Sequence, residues 1–222
     1  MKVLDNKTQG FVYKELENDI RKGSRLSIIS ASFSMYAYEK LSRQFDKIDN
    51  MRFIYTRPSF LKTDDKEVKE FFIDNDLFGS SYELKLKNEM TQSSIARDCA
   101  NWIKNKTEIK SFITPNEAQP RILCIENKNY DDVTINGTID FTPAAFGIVK
   151  SDRSDYNMCV HNKLQTQNSL GMFESLWNSD MVVDVKQEVL DRMESMYEEN
   201  SPEFLYFFST YEIFQNNLDS LQ

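Results

Sequence analysis

Histidine is nearly missing from this chain: His161 stands alone among 222 residues. That scarcity excludes His-rich metal sites and any pair of catalytic histidines within one chain. Cysteine is almost as rare. Cys99, Cys124 and Cys159 are far apart and odd in number, so free thiols in a reducing, cytoplasmic setting are expected. There is no C-x-x-C pair and no H-E-x-x-H, which removes the common zinc signatures, and no Walker A loop or G-x-G-x-x-G, which removes the common nucleotide cradles. No cofactor and no metal are therefore expected. Only six glycines and five prolines are present, and no segment is of low complexity. No apolar run approaches the roughly 20 residues that span a bilayer, and Met1 to Asp5 lacks the apolar stretch of a signal peptide. A membrane partner is not expected.

What is present argues for a folded domain. Hydrophobic residues make up 40% and aromatics 13%, too many for a disordered chain. The net charge of −8 disfavours a uniformly basic nucleic-acid binder. Its distribution changes that reading. Residues 170–222 hold eleven acids and two bases, while the remaining 169 residues carry 25 bases and 24 acids. The acidity belongs to the C-terminal segment, so any nucleic-acid path is expected to avoid it.

Helical and extended patterns alternate along the chain. Residues 10–22 place Phe11, Val12, Leu16 and Ile20 near helical spacing, with Gly23 as a stop. Residues 26–33 form a short apolar, β-branched run read as a buried strand. A helix over 36–48 and a strand over 51–55 follow. Strands joined by helices imply a parallel or mixed sheet with helices on its faces. Residues 57–91 read as irregular, with a short helix near 67–72. A helix over 93–105 sets Ile95, Cys99, Trp102 and Ile103 to one side. Residues 109–114 and 121–126 read as adjacent strands, and 133–135 as a third that ends in an Asn136-Gly137 turn. Another strand is expected over 156–160, a helix over 170–177, and a strand or helix entry at 181–185 before a helix ending near Tyr197. Ser201-Pro202 reads as an N-cap and first helical position, followed by an aromatic stripe from Phe204 to Leu221.

Two groups of residues carry candidate chemistry. His161 with Lys163 forms His-x-Lys, in which a histidine accepts a phosphoryl group and a lysine binds its oxygens. Asn168 stands where an aspartate is required, and a three-residue match is common by chance. The second group runs from Ala118 to Phe146. A basic residue opens a hydrophobic strand, an acid closes it, and a Gly-Thr-Ile-Asp-Phe-Thr turn follows. This layout resembles the phospholipase D superfamily, whose His-x-Lys, four residues, Asp and downstream Gly-Ser-x-Asn fall on Gln119, Arg121, Glu126 and Gly137-Thr138-Ile139-Asp140. Phe141-Thr142 and the small-residue turn to Gly147 look like the continuation in the family's nuclease-like branch.

The departures from that pattern decide what the resemblance implies. Gln119 replaces the nucleophilic histidine, and an amide is neither a nucleophile nor a base at neutral pH. Arg121 retains a cation able to grip phosphate bidentately. Glu126 replaces aspartate, and Asp140 puts a negative charge where the family uses a donor. The resemblance therefore implies a degenerate module, with no confident catalytic residue and with Arg121, Thr138 and Lys128 as candidate phosphate or DNA contacts.

The chain's opening through Phe33 and the stretch from Pro202-Glu203-Phe204 to Phe214 are similar to the phospholipase D-like modules at the N-terminus of bacterial Swi/Snf-type helicases. That likeness implies a fragment whose downstream partner is a helicase ATPase in the same polypeptide. Residues 1–180 would be the phospholipase D-like domain and 181–222 a C-terminal helical extension. The expected fold is α/β, with a mixed central sheet flanked by helices on both faces.

The expected function is a catalytically degenerate accessory module that positions DNA or a partner, within a protein whose ATPase would be a hydrolase. Two alternatives are a homodimeric nuclease or phosphodiesterase using His161 and Lys163 from each chain, and a purely structural docking module. The basic stretch of Lys85, Lys87, Arg97, Lys104, Lys106, Lys110, Arg121 and Lys128, with Trp102 among them, offers a phosphate-tracking patch. Interspersed acids favour reading it as a solvated face.

Overall fold

A computed structural model describes residues 1–57, 82–116, 119–152 and 154–198, and only the backbone of 82–90 and 196–198. The elements run β1 (Lys2–Leu4), α1 (Val12–Asp19), β2 (Arg25–Ser30), α2 (Met35–Phe45), β3 (Asn50–Tyr55), α3 (Tyr82–Lys106), β4 (Thr107–Phe112), β5 (Arg121–Glu126), β6 (Val133–Gly137), β7 (Asn157–His161), α4 (Lys163–Trp177), β8 (Val182–Asp184) and α5 (Lys186–Glu198). The eight strands form one mixed sheet in the order β1-β7-β6-β5-β2-β3-β4-β8. The expected α/β class is thus observed. The expected short helix near 67–72 and the aromatic stripe beyond Ser201 fall outside the described residues.

β2, β3 and β4 are parallel to one another, and every other pairing is antiparallel. The β2-α2-β3 and β3-α3-β4 crossovers advance in the same direction across the sheet. Crossovers of one hand then put α2 and α3 on the same face. The core agrees. Leu16, Leu41, Phe45, Ala96, Cys99, Ile103, Val189 and Met193, from α1, α2, α3 and α5, share one cluster with Ile28, Phe53, Ile109, Leu123 and Ile135 of the sheet. Helix α4 covers the other face, where Phe173, Leu176 and Trp177 meet Ile29, Ile54, Phe112, Ile122 and Cys124. The alternation within β2 and β5 assigns neighbouring residues to opposite clusters, as a strand buried on both faces requires.

Several elements differ from expectation, each for a physical reason. Strand β1 was not anticipated; three residues are too few to show a period, and it exists by pairing with β7. β4 and β5 follow one another in sequence but are separated in the sheet by β3 and β2. After β4, Asn116 lies at the carboxyl end of β3, where its N–H donates to the Thr56 carbonyl at 2.8 Å. Helix α4 begins at Lys163 rather than near 170, because Asn162 caps it by accepting from Gln165 N–H at 2.9 Å. Helix α3 reaches back to Tyr82, into a stretch that reads as irregular. Asn136 and Gly137 are no turn: both are paired within β6, against Met158 and Asn157. Residues 182–184 do form a strand, one of the two readings expected for 181–185; it joins the sheet beside β4, and α5 packs on α3.

Candidate functional site

The upper rim of the sheet, at the carboxyl ends of β2, β3 and β4, holds Gln119, Arg121, Thr138 and Asp140, but not Glu126, of the residues that carry the family resemblance. The chain order reverses between β2 and β5: β3 and β4 lie on one side of β2, and β5 on the other. We call the space outside the carboxyl end of β2, beside the start of β5, the crevice. β5 starts there, so its first residue, Arg121, stands at the crevice. β6 ends there, so the loop after Gly137 delivers Thr138 and Asp140 to the same place.

The loop carrying Asp140 is held by its neighbour. Phe141 is buried and packs on four rings, stacking on Phe33 at 4.6 Å and Phe45 at 5.4 Å, and meeting Phe53 and Phe146 edge-on. Phe141 N–H donates to Ser30 Oγ at 3.0 Å. With that anchor in place, Asp140 Oδ1 accepts Ala31 N–H at 2.9 Å and Arg121 Nε–H at 3.2 Å, and Ser30 Oγ lies 3.2 Å away. Arg121 also donates from Nη1 to the Gln119 carbonyl at 2.7 Å. Both side chains of the Arg121–Asp140 pair are largely shielded, at 16% and 17% exposure. The cation retained in the crevice is therefore gripped by this chain's own carboxylate. Gln119, at the motif's nucleophile position, contributes its backbone carbonyl to that grip.

Thr138 is committed as well. Its hydroxyl donates to Asp155 Oδ1 at 3.1 Å, its N–H donates to Asn157 Oδ1 at 2.9 Å, and Tyr156 N–H donates to its hydroxyl oxygen. Asp155 adds a second carboxylate to this rim, where it accepts from Asn6 Nδ2 at 2.8 Å.

The remaining candidates lie at the other end of the strands. Glu126 ends β5 and faces Arg25 at 3.5 Å. Five residues of extended chain put it roughly 17 Å from Arg121. Lys128 is exposed and pairs with Asp49 at 3.0 Å, which together with Lys128's hydrogen bond holds the Asp49 carboxyl below its ordinary range. His161 ends β7 opposite Val133, on this same lower rim, with Nε2 2.9 Å from Asp19 Oδ2. Lys163 opens α4 and is exposed. The structure thus brings Gln119, Arg121, Thr138 and Asp140 together and leaves Glu126, Lys128, His161 and Lys163 at the opposite rim.

Among the described residues, the basic stretch does not form a continuous face either. Trp102 is buried, and its Nε1–H donates to the Phe45 carbonyl at 3.2 Å, so it cannot act as a stacking platform. Lys106 Nζ donates to the Ile48 carbonyl, and Lys110 Nζ to the Trp177 carbonyl on the opposite face of the sheet.

No family model matches this chain, and no curated protein sequence matches it. Among solved structures it is similar to phosphatidylserine synthase from Haemophilus influenzae Rd KW20. The identity is 10% and the TM-score 0.47, over 88% of this chain and 44% of that one. The chain thus spans less than half of that protein's length.

One cluster escaped the sequence reading. Glu15, Asp19, Cys159 and His161 converge at the lower rim. The pattern was there to see: Glu15 and Asp19 at i and i+4, Cys159 and His161 at i and i+2. Nothing in the sequence says that α1 lies against β7, and α1 and β7 are more than 130 residues apart.

Proposed function

We propose that this chain is a phospholipase D-like module without phosphodiester chemistry, which serves a Swi/Snf-type helicase by positioning DNA or a partner at the crevice outside β2 and β5. One observation carries the reading. An amide side chain, Gln119, stands at the nucleophile position, and the cation beside it, Arg121, is locked to Asp140. A phospholipase D reaction needs an attacking imidazole and donors pointed at the transferring phosphoryl group. Among the described residues the crevice holds no imidazole and its Arg121 is paired with Asp140, and Asp140 and Asp155 oppose a phosphate there. What remains there is the Arg121 guanidinium, suited to holding a partner that offers its own anion in exchange for Asp140. The exposed acids Glu188, Asp191 and Glu194 on α5 place any DNA path away from that helix.

The homodimeric phosphodiesterase is the competing reading, favoured by the His161–Asp19 contact, since a carboxylate orients a catalytic imidazole in this manner. Hydrolysis of bis(p-nitrophenyl) phosphate and of single-stranded DNA separates the two. The accessory reading expects no turnover above buffer. Turnover that disappears in His161→Ala would replace it with the enzyme reading. Binding is read by fluorescence anisotropy with duplex and single-stranded DNA over a range of salt. Arg121→Ala should weaken DNA binding and lower the salt slope by about one. Unchanged binding would move the contact away from the crevice.

A further inference from the structure

Four side chains with metal-ligating atoms meet on the lower rim, away from the crevice. Glu15 and Asp19 are four residues apart on α1 and share one face of that helix. Cys159 and His161 are two residues apart on β7 and share one face of the sheet. One ligand atom from each of the four lies within 4.8 Å of every other.

We propose that Glu15, Asp19, Cys159 and His161 bind a single divalent transition-metal ion of the zinc class. The donor set is one imidazole nitrogen, one thiolate and two carboxylate oxygens. That mixture suits a borderline ion in tetrahedral coordination, whereas magnesium and calcium take oxygen shells. Bond lengths of about 2.0–2.3 Å put tetrahedral ligands about 3.3–3.8 Å apart, so the cluster draws in by roughly 1 Å on binding.

The surroundings fit such an ion. Glu15 and Cys159 are buried, Asp19 is half-buried, and His161 sits at the open rim, which leaves a way in. Lys2, on β1 beside β7, pairs with Glu15. A divalent ion and the Lys2 ammonium together balance the thiolate and the two carboxylates, which avoids burying net charge. The His161–Asp19 contact at 2.9 Å is the arrangement these two ligands adopt around their own proton. The ion takes its place. As the metal–sulfur bond forms, the Cys159 S–H bond breaks and its proton leaves to solvent, and a protonated His161 releases its Nε2 proton in the same way. Burial, with the Glu15 and Asp19 carboxylates beside it, pushes the Cys159 thiol up to about 12, so a directly bound cation is what ionises it at neutral pH. Four protein ligands close the coordination shell. The site is therefore structural, and it pins α1 to β7.

The alternative is a pair of ordinary ion pairs around an inert thiol, and metal titration distinguishes them. The full chain, reduced and stripped with a chelator, is titrated with Co²⁺ and then with Zn²⁺. The expected result is one equivalent of Co²⁺ bound with tetrahedral visible absorption and a near-ultraviolet thiolate-to-cobalt charge-transfer band. Zn²⁺ should displace it and raise the thermal midpoint. Cys159→Ser should lose the charge-transfer band. His161→Ala, at the exposed rim where folding is not at stake, should weaken Zn²⁺ binding at least ~100-fold, the upper end of what losing a mere outer-shell partner costs. Absence of the cobalt band, its persistence in Cys159→Ser, or unchanged Zn²⁺ affinity in folded His161→Ala would each overturn the site.

Discussion

At the scale of single residues, carboxylates decide most of what this molecule does locally, and their roles depend on what they accept. Asp140 takes donors from two separate segments, Ser30-Ala31 and Arg121, which makes it a residue of internal closure. Asp5 does something simpler at the start of the chain. It accepts the N–H groups of Lys7, Thr8 and Gln9 and the Thr8 hydroxyl. The Lys7 N–H contributes most, and together these bonds hold the Asp5 carboxyl well below its ordinary range. A depressed carboxyl contributes stability that is complete above its unfolded pKa, near 4. That contribution is lost as pH falls from there through the folded value. Asp5→Asn should therefore lower stability at neutral pH and flatten its decline below about pH 4. Urea melts of the two proteins from pH 7 to pH 2 check this, and parallel acid limbs would refute it. The spacing of the motif positions was legible from the sequence, whereas the register that sets Arg121 opposite Gly137 is a matter of strand pairing. The Arg121–Asp140 ion pair was not legible, since it depends on how the loop after Gly137 folds.

At the scale of elements, the β6-to-β7 connection shows why local patterns mislead. Asn136-Gly137 has the composition of a tight hairpin turn, yet β6 continues through both residues. The glycine is needed for a different reason. Gly137 has φ of +153°, and a Cβ there would lie 2.1 Å from the Tyr156 carbonyl oxygen. The partner strand passes too close for any side chain. Gly137→Ala should cost about 2–4 kcal/mol and disturb the loop that carries Thr138 and Asp140. Thermal unfolding checks the cost, and a variant within ~0.5 kcal/mol of the parent would contradict the close approach. Phe141 has the converse history. The sequence reading placed it in the motif continuation; the structure makes it the aromatic anchor that seats the motif loop. Sequence showed its type and position, while the four rings it packs against come from α2, β3, the segment after β2 and its own loop.

At the scale of the whole molecule, one sheet organises two rims. The upper rim carries the crevice, and the lower rim carries the cluster of Glu15, Asp19, Cys159 and His161. The two are separated by the length of the strands, which is why His161 cannot reach Arg121 within one chain. Among the described residues no helix is long and apolar enough to cross a membrane. All three cysteines are free and buried. Burial pushes the Cys124 and Cys159 thiols up to about 12 and Cys99 higher still. A thiolate is the reactive form, so an aromatic disulfide reagent should leave the native, metal-free protein unlabelled over minutes and titrate all three thiols after unfolding. Rapid labelling of the native chain would show that the sheet opens locally around one of them.

The sequence by itself determined the kinds of elements and much of their order. It showed an α/β chain of alternating helices and strands, the acidity of residues 170–222 and the spacing of Gln119, Arg121 and Asp140. These properties depend on neighbours within a few residues, through side-chain period and local turn chemistry. Tertiary structure decided which strands lie side by side, how Arg121 is spent, and that α1 carries its two carboxylates to β7. Those outcomes depend on contacts between segments far apart in the chain, where burial and pairing choose among arrangements that local patterns leave equally open.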